Sequence, residues 1–289
     1  MVGLTVLGIL PLMVALTAPS VTAVVPADTI VELRRGDRVV LENIEGEITV
    51  QAWARDALEI EGEGDEPALI VRRSGSTIRV GPDERKGRRR GLEATLRVPE
   101  WIELTAGGRD LDLFVEGVDG RIEVSNVRGD VRIRDVSAPL HLRTVQGEID
   151  VSGARGGVDA SSQSDDVRLY DVEGPVAAHS GSGDLDLEDI RSASVRAETQ
   201  DGDVRFAGTI EEGGDYRFFV HDGDVDLVLP SGINARVDVS TFDGEFQSDF
   251  PVVLQRFTGG RKFDFTIGEP RATIEIQVFD GEIRLVRGR

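Results

Sequence analysis

From Gly129 to Arg191 the chain is written in units of nine residues: GDVRIRDVS, APLHLRTVQ, GEIDVSGAR, GGVDASSQS, DDVRLYDVE, GPVAAHSGS and GDLDLEDIR. Each opens on a turn-like pair and carries small or apolar residues at its third and fifth places. A unit this short cannot bury its apolar side alone, so units must stack and share one core. The turn pairs recur every nine residues from Gly120 to Gly183. They continue with small insertions at Ala193, Gly202, Gly214 and Gly223.

Within a unit the apolar pattern has period two. Val131 and Ile133 point one way and Arg132 the other; Leu140/Leu142, Ile149/Val151, Val167/Leu169, Leu185/Leu187 and Val204/Phe206 repeat this. Such alternation specifies β-strands. A third apolar residue follows three places on, at Val136, Val145, Ala154, Val172 and Ile190, and is expected to fill the corner of a turn. Short strands opened by Gly-containing turns predict an all-β fold: a single-stranded parallel β-solenoid, or β-helix.

The outward charges set the size of one coil. In steps of two units, the residues between inward pairs read Arg132, Asp150, Arg168, Asp186, extending back to Asp112 and on to Arg205 and Asp226. Signs alternate at every step. Single-unit steps would set Asp150 beside Asp159. Stacked strands lie about 4.8 Å apart, so in-register neighbours interact directly. The alternation therefore predicts about 18 residues per coil. Each exposed pair contributes about 0–1 kcal/mol, so the ladder acts chiefly on register.

The regular repeats span about 106–240, with capping β-strands on each side, residues 24 to about 105 and about 240 to 289. Caps are needed because an open coil edge would pair with another molecule. No Pro- or Ser-rich linker interrupts the chain, which predicts a single domain over 24–289. The segment PDERKGRRRGL, between Pro82 and Leu92, is the one dense basic run and is expected to be a solvated hairpin loop. Residues 1–23 read as a signal peptide: an apolar run followed by Val21-Thr22-Ala23, which suits small-residue cleavage. The alternative is an uncleaved N-terminal segment that tethers the chain to a membrane.

Four stretches carry a family resemblance: LENIEGEITVQAW, the Gly-Asp/Glu repeat units, VDLVLPSGINARVDVSTFDGEFQSD and the closing IEIQVFDGEIRL. Together they resemble the bacterial DUF4097 family of adhesin-like β-solenoids over nearly all of residues 30–289. The resemblance implies a β-solenoid and surface attachment. It supplies no catalytic motif.

Composition excludes several functions. The net charge is −20, which argues against nucleic acid, whose phosphates must be met by excess Lys and Arg. Anionic lipid is disfavoured likewise. There is no cysteine, hence no disulfide, thiol nucleophile or Cys-ligated metal. The three histidines are His141, His179 and His221. His141 sits in an outward position beside Glu123 and Asp159, a set that could bind a metal or exchange protons, although a surface strand explains it more simply. The aspartates Asp165, Asp166, Asp184 and Asp186 form one candidate cluster, and Asp222, Asp224 and Asp226 another. A polysaccharide lyase or hydrolase would need such groups in one cleft. Turn formation is the simpler role, since Asp and Gly tolerate left-handed backbone and close Asx turns. The run SGSGDLDLED, 180–189, approaches a calcium-binding repeat, but one Asp per turn is sparse for an ion that takes six to eight oxygens.

The expectation is thus an exported, non-enzymatic β-solenoid, an adhesin-like binding or scaffold protein of the bacterial cell envelope. No catalytic, cofactor-binding or metal-ligating residue is assigned. Its partner is unspecified, an extracellular or envelope glycan or protein. The alternative is a carbohydrate-active enzyme that uses aspartates on one solenoid face.

Overall fold

The computed structural model describes residues 21–23, 29–62, 69–82, 91–252, 254–257 and 262–288. It is all-β, with no helix among the described residues, and the 24 strands among them join in one hydrogen-bonded sheet. The basic run at 83–90 and residues 1–20 of the expected signal peptide lie outside the described residues.

The repeats form two walls of parallel strands. Val131–Val136, Ile149–Ala154, Val167–Glu173 and Leu185–Arg191 follow one another on the first wall. Ile122–Arg128, Leu140–Gln146, Val158–Ser162 and Val176–Ser180 do so on the second. Register partners here are eighteen residues apart, as Val131 with Ile149 and Leu140 with Val158. The offset widens at the insertions, where Val204 pairs with Val225 and Val195 with Tyr216.

Inward residues stack into continuous columns. Val131, Ile149, Val167, Leu185 and Val204 are each 0% exposed. Burying such side chains contributes about 1.5–3 kcal/mol each, enough to set register wherever the other face is wet. The second wall narrows to Ala160, Ala178 and Ala197. In the layer of Ala197 the first wall supplies Phe206, which packs against Tyr216 and Phe218 of the next layer. Burial pushes the Tyr216 phenol above its ordinary pKa. Its hydroxyl donates to the Ser192 carbonyl and accepts the Glu211 amide.

The two walls turn their corners differently. On the first wall Asp135, Gly153, Asp171 and Asp189 adopt positive φ. That left-handed residue re-aims the chain, so Val136, Ala154, Val172 and Ile190 return inward three places after the previous apolar residue. The second wall lacks it, and plain alternation continues. Val145 is accordingly 40% exposed and not in a corner as the sequence pattern suggested, while Thr144 is buried. The inward corner column there is polar: Asn126, Thr144, Ser162, Ser180 and Thr199. Ser162, Ser180 and Thr199 donate to turn carbonyls of the layer before, at Gly147, Asp165 and Gly183. Thr144 Oγ1 has no such partner. Asn126 already occupies the Gly129 carbonyl, the acceptor that would correspond.

The outward charge column runs Arg132, Asp150, Arg168, Asp186, Arg205, Asp226 and closes on Arg284. Asp112 is not in it, because the offset between Glu103–Glu116 and Val131–Val136 is also eighteen and places Phe114 beside Arg132. Nor do the rungs form the closest ion pairs. Arg168 bonds Glu148 and, at 2.7 Å, Asp166, while Arg132 bonds Asp130 at 2.8 Å. Hydrogen bonding to Glu148 is the largest influence raising the Arg168 pKa, and Asp150 acts only through its field.

Parallel pairing extends beyond 106–240. Arg38–Trp53 lies between Glu103–Glu116 on one side and Thr77–Pro82 with Leu92–Pro99 on the other. At the opposite end Ala272–Arg287 lies between Ala235–Ser248 and the pair Asp215–Asp222 and Val225–Leu229. Each of these strands is inserted out of chain order. The outer layers are then covered by antiparallel strands, Leu69–Ser74 and Ala57–Gly62 at one end and Lys262–Ile267 at the other. Antiparallel covers change the edge geometry and blunt end-to-end stacking of copies. At about 4.8 Å per layer, the stack from Leu92–Pro99 to Ala235–Ser248 extends roughly 50 Å.

Candidate functional site

The aspartates singled out from sequence are held by the stack itself. Asp166 Oδ1 accepts the Asp184 amide at 2.9 Å, Asp184 Oδ1 the Asp203 amide at 2.8 Å, and Asp203 Oδ1 the Asp224 amide at 2.8 Å. Asp224 Oδ1 in turn accepts the Glu282 amide at 2.8 Å, and Asp165 Oδ2 accepts the Gly147 amide at 2.9 Å. Each of these carboxylates therefore joins its own layer to a neighbour. This differs from the Asx-turn role expected of them. The left-handed positions fall to Asp135, Asp171 and Asp189 instead. Asp186 Oδ1 is buried and lacks a hydrogen-bond partner. Asp226 Oδ1 is buried too, 3.3 Å from Arg284 but outside hydrogen-bond geometry. Asp222 is exposed beside the register partner Asp280.

A further acidic corner belongs to Asp171, bound at 2.8 Å by Arg155 and at 2.5 Å by Arg191. The Arg155 hydrogen bond first, and that of Arg191 next, hold its carboxyl below the usual aspartate range. Both guanidiniums also reach Glu173. This is a network of charges on one edge, tying three layers.

The histidines do not converge. His141 Nδ1 is 3.4 Å from Asp159 Oδ2, and Arg143 approaches the same oxygen at 3.9 Å. His221 stacks on Phe279 with ring centroids 4.7 Å apart, and Phe279 stacks on Phe242 at the same separation. In the segment 180–189, Asp184 is engaged with backbone and Gly183 donates to Ser180 Oγ. Among the described residues no cluster of His, Asp or Glu is arranged to hold a metal ion.

One concave feature lies on the outer side of the second wall, a groove of about 600 Å3 running along the stack. Two outward columns border it. Arg143 and His179 stand in one, and Gln163 and Gln200 in the other, over a floor that includes Asn126 and Ser162. Between Gln163 and Gln200 the register position is Gly181, and a notch opens there. A Cβ at Gly181 would lie 2.2 Å from the Gln163 carbonyl oxygen, so only glycine fits. The groove lining contains no Asp or Glu. The sequence singled out His179 only as one of three histidines. Its partners were hidden because Ser, Gln and Gly scattered at multiples of about nine look like ordinary surface until the register is known.

The family model Toastrack DUF4097 matches residues 37–286. The chain belongs to the Toastrack DUF4097 family. Similar solved structures include a putative adhesin from Bacteroides fragilis, 12% identical with TM-score 0.43, covering 93% of this chain and 98% of that one. A putative adhesin from Parabacteroides distasonis is 8% identical with TM-score 0.44, covering 90% and 97%. A putative lipid binding protein from the same species is 10% identical with TM-score 0.41, covering 90% and 96%. No curated protein matches. The described residues of this Toastrack chain have the all-β, solenoid-like architecture that the family resemblance implied. No helix among its described residues is long and apolar enough to cross a membrane.

Proposed function

We propose that this Toastrack protein is an exported, non-enzymatic parallel β-solenoid of about 18 residues per coil that works as an adhesin-like binding or scaffold protein of the bacterial envelope. The eighteen-residue offset between register partners from Ile122 to Leu187 supports the architecture. The observation that carries the non-catalytic reading is the aspartate column. General acid–base or nucleophilic work needs carboxylates free to face a substrate. Asp166, Asp184, Asp203 and Asp224 instead accept the backbone amide of the next layer. Their chemistry is spent on stacking.

Export rests on residues 1–23 as a cleaved signal peptide. Val21–Ala23 pairs antiparallel with Val71–Arg73, so cleavage after Ala23 would free the outer edge of Leu69–Ser74. Retention of 1–23 as a tether keeps that edge covered.

The test is incubation with a panel of envelope and extracellular polysaccharides, scoring retained protein and released sugar fragments in the same wells. Retention without fragments is expected. Release of fragments would overturn the non-enzymatic reading and return attention to the aspartate clusters, Asp186 and Asp226 among them, each of which has one buried carboxylate oxygen without a hydrogen-bond partner.

A further inference from the structure

The groove is one part of a longer stripe. In the same outward column Val145, 40% exposed, lines the groove, and Val127, 47% exposed, stands above it. Below it, Gln200 is followed by His221, Phe279 and Phe242 in register. Phe219 stands in the adjacent outward column, 41% exposed. Of the eight exposed large hydrophobic side chains among the described residues, five lie on this stripe. The remaining three, Ile30, Tyr170 and Val286, are elsewhere.

The stripe therefore differs from the surface around it in two ways. Its apolar area is gathered into a line, and clustered exposed apolar groups mark interaction sites where single ones do not. Its polar centre offers amides, hydroxyls, an imidazole and one guanidinium, with no carboxylate in the groove lining of a chain whose net charge is −20; Glu198, the next rung after His179, is ion-paired with Arg196 at 2.6 Å.

We propose that this stripe binds a neutral polysaccharide, with the glycan chain lying along the stack. The inference deepens the binding role proposed above and rests on it. A pyranose presents hydroxyls at its rim and C–H groups on its faces, so a surface that alternates amide and hydroxyl groups with apolar patches matches both. Uncharged donors and acceptors suit hydroxyls, which each need a partner once water is displaced. A polyanion would be repelled by the field of the acidic walls, and a polycation would be drawn to those walls in preference to the groove. The periodicity also fits. Side chains repeat about every 4.8 Å along each column, comparable to the length of one hexopyranose unit, so an extended glycan meets a fresh rung at each sugar. Gln163 and Gln200, two layers apart across the Gly181 notch, would bracket one sugar over about 9.6 Å. The exposed edges of Phe279 and Phe242 continue the track.

The experiment is affinity electrophoresis of the full chain in gels containing amylose, galactomannan or β-1,3-glucan, against gels containing polygalacturonate or alginate. Retardation is expected in at least one neutral gel and in neither anionic one, and it should persist in added salt because no ion pairs are involved. The double variant Gln163→Ala/Gln200→Ala should weaken retardation at least tenfold with an unchanged melting temperature. Tyr170→Ala, on the first wall, should bind as the parent does. Retardation that survives the double variant overturns the stripe while leaving the binding role standing. Retardation only by anionic polymers overturns the neutral-glycan assignment. Absence of retardation in every gel contradicts both this inference and a glycan-binding form of the proposed function. Concentration-dependent dimerisation that the double variant abolishes would assign the stripe to a second copy of the chain, and overturn the proposal too.

Discussion

Gly147→Ala is expected to lower the unfolding free energy by about 3 kcal/mol or more, one of the largest effects of any single-methyl change in this chain. Two causes combine. Gly147 sits at φ +145°, a region that L side chains rarely enter, and strain of this kind costs of order 1–3 kcal/mol. A Cβ there would also lie 2.1 Å from the Gly129 carbonyl oxygen. That atom is backbone of the adjacent layer, so relief requires the layers to part. The layers are joined nearby by the Gly129 amide bonding to the Gln146 carbonyl. Urea unfolding of the two proteins measures the difference. Gly232→Ala is the control: nothing lies within 4 Å of its Cβ position and its φ is not positive. It should change stability by no more than about 0.5 kcal/mol, the ordinary range for surface substitutions. Equal effects at the two glycines would contradict the close layer contact at Gly147.

Phe206→Ala should cost about 3–5 kcal/mol, the range for truncating a fully buried aromatic. Phe206 is 0% exposed, with ring centroids 5.3 Å from Phe218 and 6.2 Å from Tyr216. The strand Ser194–Asp201 supplies only the smaller Val195 and Ala197, and the neighbouring Tyr216 and Phe218 are themselves held in a parallel ladder. The surrounding strands are held in parallel ladders on both sides, which limits collapse into the cavity. Phe206→Leu keeps most of the volume and should recover more than half of the loss. Thermal or urea unfolding decides. A cost below about 1 kcal/mol for the alanine variant would mean that the site is loosely packed.

Much of the repeat region was legible because its signals are local. Period-two alternation at Val131/Ile133 and Leu140/Leu142 follows from strand geometry alone. The difference between the two walls was not legible. Val136 and Val145 occupy like places in their units, yet one is buried and the other exposed, and the cause is backbone handedness at Asp135. An aspartate at that place does not announce a left-handed conformation. The role of the turn aspartates was misjudged for a related reason. Their partners are amides of the next layer, eighteen or more residues on, so the bond is invisible to any local pattern. Asp112 falls outside the charge column because it precedes Arg132 by twenty residues, whereas the register offset there is eighteen. The insertion of Arg38–Trp53 and Ala272–Arg287 out of chain order depends on strand pairing between distant segments, which composition and spacing do not encode. The groove became visible only after register brought Gln163, Gly181 and Gln200 into one column.

The charge column, the aspartate column and the groove all depend on the eighteen-residue register, which one measurement tests directly. The chain contains no cysteine, so spin labels can be attached at introduced sites alone. Ser152→Cys with Tyr170→Cys places two labels on outward register partners of adjacent layers, whose backbones lie about 4.8 Å apart. Ser152→Cys with Ser161→Cys places them one unit apart, on opposite walls. Strong dipolar broadening in the first pair and none in the second is the expected result. Broadening in the second pair but not in the first would contradict the eighteen-residue register, and with it the charge column, the aspartate column and the groove.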